Sequence, residues 1–350
     1  MGVPRRLVMQ AGGLMALAMS AVLGAAPAEA QEKITWRVAI YGPPRAVTKG
    51  IEFMAKHVEE KTAGKFTMRL HFNEQLSDAK DHLDGIKVDS FQGSLTAFGY
   101  SPGKAPLNNV LDLPYLPMKG IDAIARVMED FYQFPPAKEE LDRWNAYPIV
   151  GVPLPLYEFM GTGKPPRTLD DWKGMRVRAV GGSGEAMKTL GAIPTSVPAP
   201  EVYAALERNV FQAASFPFSY TFGSYKLHEV SKWYTFGLQL GTIHNAFILS
   251  ATAFQKLPAE YRQLMVDAKA QYYVTLREAY ESEDRKWIPI FEKVGLERIT
   301  ITPDMLAQFQ EKAAKPVWDK WVTEMEQKGL PGRQTFDFVF DAGTKYSKGS

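Results

Sequence analysis

The sequence predicts an α/β protein of two lobes, each a β-sheet flanked by helices, joined by hinge strands and spanned by one long helix. Three observations carry this reading. The chain has 350 residues, more than one hydrophobic core usually supports, so two units of about 100 to 200 residues each are expected. Its amino-terminal part alternates strand and helix patterns, as a parallel sheet covered by helices does. An apolar stripe from 258 to 287 is longer than a single lobe needs.

Residues 1–30 read as a targeting segment. Arg5 and Arg6 precede an apolar run from Leu14 to Ala26 and an Ala28-Glu29-Ala30 triplet, the pattern of a cleaved export signal that would leave Gln31 first. The paired arginines suit either an ordinary secretory leader or a twin-arginine one. No later segment approaches the roughly 20 apolar residues of a membrane helix.

Ile34 to Ile40 alternates as a first strand and is stopped by Tyr41-Gly42-Pro43-Pro44. A helical stripe follows at Val47, Ile51, Met54, Ala55 and Val58, ended by Gly64. Phe66, Met68, Leu70 and Phe72 then alternate with polar residues, which predicts a half-buried second strand. Strand, helix, strand at this spacing predicts a parallel pair, and ligands of such sheets gather beyond the carboxyl ends of the strands. Tyr41, Gln75 and Phe98 lie near such ends, and Tyr100 just beyond.

Residues 119–145 read as helices broken by Pro135 and Pro136, and Tyr147 to Pro155 as a strand leading into the first crossover. Leu156 to about Phe236 would form the second lobe, with a return strand near Ile243 to Leu249. The expected division is 31–155 with 243–283 against 156–242 with 284–345; several crossings make a hinge that can close. From Pro258 to Trp287 the stripe of Tyr261, Leu264, Met265, Ala268, Tyr272, Leu276, Ala279 and Tyr280 reads as one helix, roughly 40 Å long and expected to cross both lobes.

Composition excludes several function classes. With 41 Lys+Arg against 39 Asp+Glu, the formal charge is +2, which argues against nucleic acid or a membrane surface as partner. The absence of cysteine excludes disulfides, thiolate nucleophiles and cysteine-ligated metals. The five histidines, His57, His71, His82, His228 and His244, lack metal-ligand spacing, so no metal and no cofactor are expected. His244-Asn245 is the one pair of interest near a cleft. Ser183 in GGSGE fits neither a phosphate loop nor a nucleophile elbow and reads as part of a turn. Glu158, Asp170, Asp171 and His244 form no acid–base set by spacing, so no catalytic residue is named.

The most informative stretch is 173–206, KGMRVRAVGGSGEAMKTLGAIPTSVPAPEVYAAL. Arg176 and Arg178 alternate with Val177 and Ala179 in a short strand, Gly181 and Gly182 stop it, Glu185 to Leu190 forms a helix closed by Gly191, and Pro200 opens the next helix. Together with FMAKHVEEKTAGKFTMRLHFNEQL at 53–76, APLNNVLDLPYL at 105–116 and FQKLPAEYRQLM at 254–265, this stretch resembles the solute-binding proteins of tripartite ATP-independent periplasmic (TRAP) transporters.

The resemblance implies a periplasmic-binding-protein-like fold. It further implies a monomer in the periplasm that captures a small organic acid by lobe closure and delivers it to TRAP membrane permease subunits; the residues around the anchor admit an aromatic or zwitterionic acid. It assigns to Arg178 the family's grip on a substrate carboxylate, which a planar fork of donors performs better than a lysine. An anchor free in a cleft could be removed without cost to the empty fold.

Two departures bear on the ligand. Glu158 stands near the place where many relatives carry a second arginine. In NVFQAASFPF, the family's aspartate, glycine and asparagine are replaced by Gln212, Ala213 and Phe216, or by Ser215 in the last place if the register shifts by one. A cleft-facing Glu158 would favour a positive or hydroxylated ligand end, and a Glu158 paired to Arg178 would cancel the anchor. Phe216 and Tyr220 belong to an aromatic cluster that suits an aromatic ring or an ammonium. A receptor for amines using Glu158, an enzyme, and a protein-binding partner are the competing readings.

Overall fold

The computed structural model describes residues 1–2 and 33–348, so the export signal expected at 1–30 lies outside the described residues apart from its first two. Among the described residues eleven strands form two sheets: β1 (Ile34–Ala39), β2 (Phe66–His71), β3 (Gly93–Ala97), β4 (Ala146–Gly151), β5 (Tyr157–Gly161), β6 (Arg176–Arg178), β7 (Ile193–Thr195), β8 (Ala213–Pro217), β9 (Trp233–Phe236), β10 (Asn245–Ser250) and β11 (Glu297–Thr300).

The first sheet has the order β2-β1-β3-β10-β4, and the second β11-β9-β5-β8-β6-β7. As the strand, helix, strand pattern predicted, β1 and β2 run parallel in full register from Ile34–Phe66 to Ala39–His71. The return strand β10 enters the first sheet antiparallel to both β3 and β4.

Among the described residues two extended segments cross between the sheets, 152–156 and 237–244, and they are bonded to each other's surroundings. Val152 N donates to Asn245 O at 2.8 Å, Tyr157 N to Gly241 O at 2.9 Å and Leu240 N to Tyr157 O at 3.1 Å. Pairing two crossings through amide bonds gives a bend with a defined axis, because each peptide unit keeps its partner while the dihedrals at its ends turn.

The long amphipathic stripe folds as two helices, Ala259–Asp267 and Lys269–Lys293, meeting at Ala268. The second runs past Pro289, whose fixed φ suits a helix and which forfeits only one amide bond near the end. This helix does span both sheets' layers. A Cβ on Gly50, beside the first sheet, would lie 2.5 Å from the Tyr272 ring, and one on Gly223, beside the second, 2.0 Å from the Trp287 indole. Pro135 opens the helix Pro135–Asp142 rather than merely ending the one before, Ile121–Phe131, since the first helical turn needs no amide donor from proline. The carboxyl-terminal helices Lys315–Gln327 and Gly332–Ser347 bury Val317, Trp321, Val322, Phe336 and Val339 in the same cluster as Leu107, Val110, Ile124 and Met128.

Under the second sheet, Trp172 is 1% exposed and packs its ring 4.9 Å from Phe159 and, edge-on, 6.4 Å from Phe309. Trp172→Ala is expected to cost about 3–5 kcal/mol through lost burial and the cavity left behind, read as a lowered midpoint in urea unfolding at unchanged slope.

Candidate functional site

β6 places Arg178 at its last residue, two positions before the extended Val180 that precedes the helix Gly181–Thr189. The helix begins at the glycine pair itself, earlier than the turn read from sequence, so Ser183 is helical. The glycines are required there by close approach: a Cβ on Gly182 would lie 2.2 Å from the Asp112 carbonyl oxygen, and one on Gly181 2.7 Å from the Asp112 carboxylate.

Arg178 is 1% exposed. Its Nε and Nη2 donate to Val197 O at 3.0 and 2.9 Å, Nη1 donates to Ser215 O at 2.8 Å, and Nη2 makes a long contact to the Tyr100 hydroxyl at 3.5 Å. The guanidinium carbon lies 4.2 Å from the centre of the Phe216 ring. Among the described residues no carboxylate pairs with it. Carbonyl dipoles orient the plane without neutralising the charge, and of five donors four bonds leave one Nη1 proton without an acceptor. A buried cation in this condition favours an anion strongly.

This geometry corrects the expectation of a freely removable anchor. Alanine at 178 would orphan the Val197 and Ser215 carbonyls and cost stability as well as binding.

Tyrosines converge on the guanidinium from both sheets. The Tyr100 hydroxyl also accepts from Ala199 N at 3.2 Å, and the Tyr100 ring meets Tyr41 edge-on at 5.5 Å. Tyr41 Oη accepts from Asn245 Nδ2 at 2.6 Å, while Asn245 Oδ1 is buried without a partner. Tyr220 lies 5.1 Å from Tyr280; burial pushes its hydroxyl up to about 12. Burial, followed by the neighbouring Tyr100 hydroxyl, likewise pushes Tyr157 well above its ordinary value, against the charge of Arg178. Arg178, Phe216, Tyr100 and Tyr41 thus form one linked aromatic cluster, and Tyr220 lies near enough to feel the Tyr100 hydroxyl.

Phe98 and Glu158 do not join it. Phe98 stacks at 4.3 Å on His244, inside the cluster formed with Phe131 and Tyr132, because its residue turns off the end of β3 towards the helices 121–131. His244 is a core histidine: its Nε2 meets Tyr132 Oη at 2.9 Å, its Nδ1 meets Asn108 O at 3.0 Å, and burial pulls it down to about 3.

Glu158 forms no pair with Arg178. Phe216 stands opposite it across the β5–β8 ladder and lies under the guanidinium, separating the two. The carboxylate turns instead to the hinge, accepting from Thr235 Oγ1 at 2.6 Å and from the amides of Gly237, Leu238 and Gln239 at 2.9, 3.2 and 3.1 Å. Burial pushes this carboxyl up to about 7, against the pull of those four donors.

Sequence reading missed Arg45 and Tyr225. Arg45 directly follows the Tyr41-Gly42-Pro43-Pro44 break, at the carboxyl end of β1 where ligands of such sheets collect, and that position was the available signal. Its guanidinium lies 4.9 Å from the Tyr41 ring and 5.6 Å from the Tyr225 ring. For Tyr225 the sequence carried no signal. Among the described residues no cluster of His, Asp and Glu is arranged to hold a metal, and no helix is long and apolar enough to cross a membrane.

Comparison with known proteins bears on this arrangement. The family profile of bacterial extracellular solute-binding proteins, family 7, matches residues 40–324. A solute-binding protein of Albidiferax ferrireducens is 24% identical over 337 residues, 92% of this chain and 95% of that one. A C4-dicarboxylate-binding periplasmic protein of Rhodobacter capsulatus is 26% identical over 289 residues, 80% and 84% of the two chains.

Solved structures share the fold. A TRAP solute-binding protein of Rhodoferax ferrireducens, in complex with copurified benzoate, superposes with a TM-score of 0.82 at 22% identity, over 90% of this chain and 99% of that one. A marine metagenome TRAP protein specific for aromatic acid ligands, in complex with 3-hydroxybenzoate, gives 0.82 at 18% identity over the same shares.

Glu158→Gln turns an amide NH2 towards its four donors where the protonated acid holds a single O–H, and is expected to cost about 1–3 kcal/mol. The folded chain holds the Glu158 proton more tightly than the unfolded one, whose ordinary value is 4.5. The stability it contributes is therefore full below about pH 4.5 and lost as pH rises through about 7. Urea unfolding across this range should show the gap between wild type and Glu158→Gln narrowing with rising pH.

Proposed function

This chain belongs to family 7 of the bacterial extracellular solute-binding proteins, and from that premise we propose that it captures a small aromatic carboxylate in the periplasm and delivers it to a TRAP membrane permease. The observation that carries the reading is Arg178: a guanidinium 1% exposed, fixed by carbonyls, stacked on Phe216, and paired with no acid among the described residues. A carboxylate at the end of its fork would supply the missing charge through charge-assisted bonds. The aromatic rings around it would receive an apolar body. Relatives of the same fold with benzoate and 3-hydroxybenzoate bound support an aromatic acid. The family consists of binding proteins, so the chain is a receptor and not an enzyme.

Capture would proceed by closure of two lobes, 31–155 with 243–283 and 156–242 with 284–345, each built on one sheet, with residues 1–30 cleaved as the export leader. The helices from 315 onward, which this division gives to the second lobe, pack instead with Leu107, Val110, Ile124 and Met128 beneath the first sheet and would move with the first lobe. Tyr100 comes from the first sheet and reaches Arg178 and Ala199 on the second, so its hydroxyl is the contact that closure makes. The receptor is read as a monomer. The amine reading has lost its anchor, since both Glu158 oxygens are occupied by hinge donors.

Isothermal titration with benzoate, hydroxybenzoates, an aliphatic acid and a primary amine tests the proposal. Aromatic acids should bind and the amine should not. Arg178→Lys, which keeps the charge but loses the fork, should weaken benzoate by about 100-fold or more. Amine binding, or a lysine variant with wild-type affinity for benzoate, would sink the assignment. Small-angle scattering should show the radius of gyration shrinking on addition of the bound acid, and an unchanged value would rule out closure.

A further inference from the structure

Arg45 is 6% exposed. Its Nη1 donates to the carbonyls of Tyr41 and Pro43, each at 2.8 Å, and these bonds use both Nη1 protons. They leave Nε and Nη2, the parallel pair of donors that matches the two oxygens of a carboxylate, without a protein acceptor among the described residues. No acid pairs with the cation either. Glu52, the nearest in sequence, is engaged by Thr48 and Lys49. Fastening the turn after β1 accounts for Nη1 and for nothing else on this side chain.

Two arcs of aromatic rings connect Arg45 to Arg178. One passes from Arg45 to Tyr225 at 5.6 Å, then to Phe216, stacked on Tyr225 at 6.0 Å, then to Arg178 over the same phenyl ring at 4.2 Å. The other passes from Arg45 to Tyr41 at 4.9 Å, to Tyr100 at 5.5 Å, and from the Tyr100 hydroxyl to Arg178 Nη2. The Tyr225 hydroxyl is buried with no hydrogen-bond partner. Burial raises its pKa, and the charges of both Arg45 and Arg178 reach it and oppose that rise. Two buried cations in one aromatic surround repel each other, and each has given up hydration. A guest with a negative group at each end relieves both costs at once.

We propose that Arg45 is a second anion anchor, and that the solute is an aromatic diacid whose one carboxylate meets Arg178 while the other meets the Nε–Nη2 edge of Arg45. This rests on the reading of Arg178 as the first anchor. Arg45 also lines a cavity of about 750 Å³ whose charged residues are Lys49, Lys226 and Lys286 together with Glu229, Glu278 and Glu283. The unpartnered Tyr225 hydroxyl would donate to the same guest.

Titration of the full mature chain with benzoate, terephthalate and isophthalate, in wild type and in Arg45→Gln, decides the matter; unfolding temperatures establish that the variant is folded. At least one diacid should bind the wild type about tenfold or more tighter than benzoate. Arg45→Gln should lose more affinity for that diacid than for benzoate and shrink the preference to about threefold or less. Benzoate binding without a diacid preference overturns the second anchor and leaves the first standing, as does a preference that survives in Arg45→Gln. Failure of every aromatic acid to bind the wild type overturns the carboxylate reading and this one with it. If the variant does not fold, the wild-type comparison of benzoate with the diacids supports or overturns the proposal unaided.

Discussion

A guanidinium that is almost fully buried and has no acid beside it must be held by neutral groups, and this constraint organises the second sheet around Arg178. The parallel pairing of β6 with β8 brings Ser215 O to one side of the fork. The loop after β7 brings Val197 O to another. Phe216 supplies a face whose negative quadrupole tolerates the cation. Each partner lowers the cost of burial, and none of them cancels the charge. The fold thus keeps an unneutralised cation where tyrosines from both sheets meet, which is a poor way to gain stability and a good way to hold an anion.

The same constraint gives meaning to the hinge. Tyr100 and Tyr41 belong to the first sheet's side and Tyr157, Tyr220 and Tyr225 to the second's, so the cluster exists only while the two are apposed. Glu158 fastens the crossing segment 237–239 from within the second sheet. A buried carboxylate satisfied by four donors holds that bend in one shape and leaves the charge balance at Arg178 untouched. The long helix through Tyr272 and Trp287 ties both sheets to one rod.

Much of this was legible in the sequence. Alternation from Ile34 and again from Phe66 marked two strands, and the helical stripe between them fixed their parallel pairing. The stripe from Tyr261 to Tyr280 marked a helix that reaches both sheets, though not its break at Ala268, where no proline or glycine stands. Arg178 could be singled out because its flanking pattern resembles a family motif. Its carbonyl partners could not, since Val197 and Ser215 reach it only through strand order. Strand order also decided Glu158: β8 inserts between β5 and β6, so Phe216 stands where a salt bridge had been an option. Phe98 was misplaced because nearness to a strand end does not say which way the chain turns next. Arg45 stood at an equally informative strand end and carried the charge that the others lacked.

Capture depends on a solute carboxylate completing the charge of Arg178. A crystal structure of the mature chain with a bound aromatic acid tests this most directly. A carboxylate oxygen is expected within about 3 Å of an Arg178 nitrogen, with the solute ring among Tyr41, Tyr100, Phe216 and Tyr225. An ordered solute elsewhere, with Arg178 still bonded only to Val197, Ser215 and Tyr100, would contradict it.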